Sequence, residues 1–150
     1  MIPRTARALR ALAAATAGAL LAAITVWAHV IWINGTALTT SSYPMSSEPL
    51  TRLTLLRDTG LPSLALIPLL WVLALLSGPW PLRFFSALLF LAGWYWLADG
   101  IANLFALHFG NTWATGEAFD ALFYHPVATP ALMGLSLLAY MVLLSRLNRA

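Results

Sequence analysis

The sequence predicts an all-α polytopic membrane protein: a four-transmembrane-helix bundle with both termini cytoplasmic and two short interfacial helices in the outer loops. Three observations carry that prediction. Of 150 residues, 61% are hydrophobic and only 9% are charged, whereas an ordinary soluble domain carries about 25% charged residues. Four continuous apolar stretches are each long enough to cross a bilayer. Finally, the eight basic residues, all arginine, sort unevenly between the two sides that those stretches define.

The four spans run approximately Ala11–Ile33, Leu61–Gly78, Phe84–His108 and Val127–Ser145. Each falls within the roughly 17–25 residues that a helix needs to cross the hydrocarbon core. The runs are continuous rather than alternating, which excludes a membrane β-barrel. The first span follows Arg4, Arg7 and Arg10 and imitates a secretory leader. A leader's apolar region is only about 7–15 residues long and ends in small residues. Here it continues through Val26-Trp27-Ala28-His29-Val30-Ile31-Trp32-Ile33, so it is expected to be retained as a helix. The second span holds Pro68 and is short. It is expected to kink there or to take length from the residues before it.

With four spans, Arg4, Arg7, Arg10, Arg83, Arg146 and Arg149 share one side, and Arg52 and Arg57 the other. The positive-inside rule then puts both termini in the cytoplasm. The bias to Arg, Ala and Leu over Lys points to a bacterial inner membrane. In the first outer loop, Ser47 is an expected N-cap, with Pro49 in the first turn and Leu50, Leu53 and Leu56 at helical spacing. In the second, Phe119, Leu122 and Phe123 share one face of an expected interfacial turn. The chain reads as a single domain, residues 1–150, without internal repeats. Small residues at spacing four, Ala14/Gly18/Ala22 and Ala98/Ala102/Ala106, mark close helix contacts.

Composition excludes a soluble enzyme, a nucleic-acid-binding domain and a disordered tail. The absence of cysteine removes disulfides, thiolate metal sites and thiol redox chemistry. Three groups remain as candidate sites. Asp99 lies inside the third span, where a carboxylate costs at least about 2.5–3.5 kcal/mol and marks function or a buried polar contact. Tyr95 and Asn103 stand four residues to either side of it, on the same helix face. Together they make a candidate proton, cation or structural polar site. Trp71, Trp94 and Trp96 fall near mid-bilayer rather than in an interfacial belt, and such rings could wall a pocket for a flat apolar ligand. His29, His108 and His125 all fall on the outer side and are candidate ligands for zinc, copper or haem, although none stands at ligand spacing to another. Asn34-Gly35-Thr36 matches a glycosylation acceptor, but its place against the membrane speaks against that use.

No residue set resembles a catalytic constellation, and no cofactor is identified. The expected function is therefore a non-enzymatic accessory or structural subunit of a larger membrane complex, holding an apolar ligand against the tryptophans. The alternative is a small proton- or cation-coupled transporter that works as an oligomer, with Asp99 as the coupling group. Expected partners are the lipid bilayer, other membrane proteins or further copies of the chain, and no nucleic acid.

Overall fold

The computed structural model describes residues 4–34, 51–76, 80–110, 113–114 and 116–149, and among these there is no strand. Among the described residues six helices follow one another: α1 (Arg4–Asn34), α2 (Arg52–Ser63), α3 (Leu66–Leu76), α4 (Trp80–His108), α5 (Glu117–Leu122) and α6 (Ala128–Arg149). Helices α1, α4 and α6 are each long and apolar enough to cross a membrane, and α2 with α3 makes a fourth if that bent pair counts as one span. The outward faces are themselves apolar, with Leu20, Ile24, Leu69, Val72, Leu135 and Leu138 all exposed. A surface of that kind is stable against lipid and not against water.

The core forms where small residues let helices approach. Ala14, Gly18 and Ala22 on α1 are buried, with Ala11, Ala15 and Ala19 beside them, as are Ala98, Ala102 and Ala106 on α4, so both small-residue rows lie in the core as their spacing predicts. Around them close Trp94, Phe90, Tyr140, Phe105 and Leu70. Tyr140 stacks on Phe90 at 4.6 Å between ring centroids and fills the notch left by Gly18, where an added Cβ would stand 2.8 Å from the tyrosine ring. Gly18 meets Tyr140 and His29 meets Thr129, so α1 and α6 run antiparallel, with the start of α1 and the end of α6 at one end of the bundle.

The second apolar stretch does both of the things that its shortness and Pro68 suggest. Helix reaches back before Leu61, and α2 and α3 are bent by 47°. The break falls at Leu64–Ala65, where Leu64 and Ala65 donate to the carbonyls of Leu61 and Pro62 in tight turns. Pro68 explains the position. It has no N–H for the Leu64 carbonyl, and its ring would clash with that carbonyl in a continuous helix. Restarting the helix at Leu66 places Pro68 in the first turn, where the missing donor costs nothing.

Of the predicted surface helix, Ser47 and residues 48–50 lie outside the described residues, while Thr51 has extended backbone and caps a helix that begins at Arg52. Thr51 Oγ1 accepts from Thr54 N at 3.1 Å, and Thr54 Oγ1 accepts from Thr51 N at 2.8 Å, a reciprocal box that satisfies two helix-end donors. Leu53 and Leu56, expected to face the membrane surface from a free helix, are exposed, whereas Leu55, Thr59 and Ser63 are buried. The two buried hydroxyls donate to their own helix, to Leu55 O and Gly60 O, which lets them lie in an apolar contact. Replacing Thr51 with alanine is expected to cost about 1 kcal/mol and to speed amide hydrogen exchange at Arg52–Leu55. Unchanged exchange there would contradict the capping role.

The second outer helix, α5, occurs where Phe119, Leu122 and Phe123 predict a turn. Phe119 and Phe123 point inward and are buried. Phe123 stacks edge-on against Phe105 of α4 at 5.1 Å, so the helix lies against the bundle.

Candidate functional site

Polar side chains within the apolar helices are the features that packing alone does not explain, and most of them brace one helix to another. Near one end, Arg7 Nη2 donates to Leu75 O at 2.9 Å and Trp71 Nε1 to Ala8 O at 3.1 Å, tying the start of α1 to α3. Towards the other end, Trp27 Nε1 donates to Arg52 O at 2.9 Å and Asn34 Nδ2 to Leu122 O at 2.8 Å. Trp94 Nε1 donates to Thr25 Oγ1 at 2.9 Å, and that hydroxyl donates back to the Leu21 and Ala22 carbonyls. Donors left unpaired in hydrocarbon cost several kcal/mol, so each tie also meets a requirement of the membrane.

His29 is the most enclosed of these groups, with 0% of its surface exposed. Its ring sits edge-on to Trp94 at 5.5 Å and is stacked near Phe119 at 6.4 Å. Nε2 meets Thr129 Oγ1 at 2.9 Å. The same oxygen accepts from the His125 backbone N–H at 2.9 Å. In either ring tautomer, Nδ1 is buried without a partner among the described residues. His125 itself is exposed, and its Nδ1 accepts from the N–H groups of Val127 and Ala128 at 3.2 and 3.1 Å, so the side chain caps α6. His108 is buried at the end of α4, edge-on to Phe109 at 5.2 Å.

Thus one threonine joins His29 to the chain at His125, while His108 is not part of that contact. No group of three or more His, Asp or Glu residues converges to hold a metal among the described residues. The His125 lone pair at Nδ1 is already used as a helix cap.

Asp99 and Asn103 do meet. Asn103 Nδ2 donates to Asp99 O at 2.9 Å and to Asp99 Oδ2 at 3.1 Å, while Asp99 Oδ1 is buried without a partner among the described residues. Tyr95 is 41% exposed and rests edge-on against Phe119 at 5.1 Å. The row therefore forms a short polar strip along α4 beside α5.

The three tryptophans do not gather. Trp71 bonds Ala8 and Trp94 bonds Thr25, positions about 25 Å apart along α1 at 1.5 Å per residue. Trp96 is 51% exposed on the outer face of α4. They wall no common pocket, because the tie to Ala8 holds Trp71 beside the start of α1.

Sequence reasoning missed Thr25, Thr129 and the structural use of Asn34. Thr129 stands one helical turn after His125, a spacing that suits a hydroxyl turned back to the helix start, and that was the available signal. No family model, curated protein or solved structure matches this chain.

Proposed function

We propose that this protein is a non-enzymatic accessory subunit of a membrane complex, lying in a bacterial inner membrane with both termini in the cytoplasm. The supporting observation is how the polar side chains of the apolar helices are used. Trp27, Trp71, Trp94, His29, Asn34 and Arg7 each bond a helix other than their own, which makes a braced scaffold. In this reading α2 and α3 form one broken span. Their ties to Trp27 at one end and to Arg7 at the other are 20 residues apart on α1, about 30 Å, which equals the hydrocarbon thickness. The arginine distribution supports the cytoplasmic side. Native mass spectrometry of the protein drawn gently from its host membrane tests the role. Partner chains in fixed ratio support it, and repeated recovery of this chain alone counts against it.

A second reading is favoured by Asp99, whose buried Oδ1 has no partner among the described residues. In an oligomer that carboxyl would carry a proton or cation between two faces. Asp99→Asn keeps the size and an oxygen that can accept from Asn103, and removes the carboxyl that could carry a proton or cation. It is expected to abolish proton-coupled flux in proteoliposomes while expression and oligomeric state stay unchanged. Failure of the variant to insert or fold would instead assign Asp99 to the scaffold.

A further inference from the structure

We propose that the groove between α1 and α6 is a binding site for an anionic phospholipid, with an acyl chain along the groove and the phosphate between Arg10 and Arg146. The groove has a volume of about 640 Å³ and is apolar along its length, from Leu135 and Ile24 to Val142 and Ala17, and Arg146 closes one end. Leu135 to Arg146 spans 11 residues of α6, about 16 Å, close to the roughly 15 Å of hydrocarbon in one leaflet. A chain seated there therefore has its headgroup at the depth of Arg146.

A second cation stands at that depth. Arg10 is seven residues before Ala17 on α1, hence on the groove's face of the helix. In the antiparallel register set by Gly18 against Tyr140 and His29 against Thr129, Arg10 is level with the backbone just past Arg146. Both side chains are exposed, and among the described residues neither pairs with a carboxylate. Two unspent cations at the headgroup end of a leaflet-long groove select a negative headgroup, as basic pockets between transmembrane helices do. Ala17 and Ala139 keep the groove open, since a larger side chain at either would fill it.

The test uses the full chain, delipidated in detergent and titrated with phosphatidylglycerol or with phosphatidylcholine of identical acyl chains, read by native mass spectrometry. One phosphatidylglycerol per chain is expected to bind, with phosphatidylcholine much weaker. Arg146→Gln and Arg10→Gln should each weaken phosphatidylglycerol about five-fold, and the double variant about 25-fold, while Arg52→Gln at the opposite end changes nothing. Ala139→Phe should displace the lipid whatever its headgroup. Equal binding of the two lipids, or arginine variants that bind like the parent protein, would overturn the proposal. So would a dimer that Ala139→Phe converts to monomer without any lipid dependence, because a second copy would then fill the groove. Should Ala139→Phe fail to fold, the two arginine variants, whose side chains project from the bundle surface, decide the question alone.

Discussion

Replacing Gly18 with leucine is expected to unseat α6 from α1 and to give a large stability loss. An added Cβ would stand 2.8 and 2.9 Å from two carbons of the Tyr140 ring and 3.4 Å from a Leu70 methyl. The ring cannot retreat, since Tyr140 is fully buried and lies flat on Phe90, 10° from parallel. Overpacking a core costs about 1–3 kcal/mol even for a few added methylenes, and leucine adds its whole side chain at the closest contact of the two helices. Denaturant unfolding in micelles reads the effect.

Two comparisons make this specific. Gly100 has nothing within 4 Å of an added Cβ, so Gly100→Ala should be neutral or slightly stabilising through helix propensity. In the double variant Gly18→Leu/Tyr140→Ala, removing the ring should return part of the loss, with a coupling of about 0.5–3 kcal/mol. Strict additivity would mean that Tyr140 is not what Gly18 accommodates.

The second large effect belongs to the tie between His29 and Thr129. Thr129→Val preserves shape and removes the hydroxyl that partners both His29 Nε2 and the His125 N–H. The His125 amide sits at the exposed start of α6 and can bond water. His29 has no such recourse, because none of its surface is exposed. A buried polar group stripped of its partner costs about 1–3 kcal/mol, and intramembrane hydrogen bonds measured by double-mutant cycles lie near the lower end, about 0.6–1.7 kcal/mol. Thr129→Val is therefore expected to destabilise by about 1–2 kcal/mol, and Thr129→Ser to retain most of the stability. His29→Ala removes the ring between Trp94 and Phe119 as well, and on the scale of large-to-small core changes should cost about 2–5 kcal/mol. If Thr129→Val and Thr129→Ser unfold alike, methyl packing rather than the hydrogen bond is what Thr129 contributes.

These two contacts differ in how far the sequence could foretell them. The small-residue row Ala14/Gly18/Ala22 was legible as a packing face, because spacing four on a helix needs no knowledge of the partner. That the partner is an aromatic ring from α6 was not. Likewise Asp99 and Asn103 meet as their spacing predicts, since both belong to one helix. His29 and Thr129 are separated by a hundred residues, and no local pattern connects them.

What the sequence determined by itself is the set of apolar helices, the places where chains can approach closely, and the turn near Phe119. Each follows from local composition and from a helical period that the backbone imposes whatever surrounds it. Only the tertiary structure decided where the second stretch breaks, that Thr51 caps its first half, and that Trp71 and Trp94 bond positions about 25 Å apart along α1. It also decided that His29 is spent on Thr129. The reason is that an apolar solvent leaves each buried donor few acceptors, and those acceptors are set by which helices come to lie side by side.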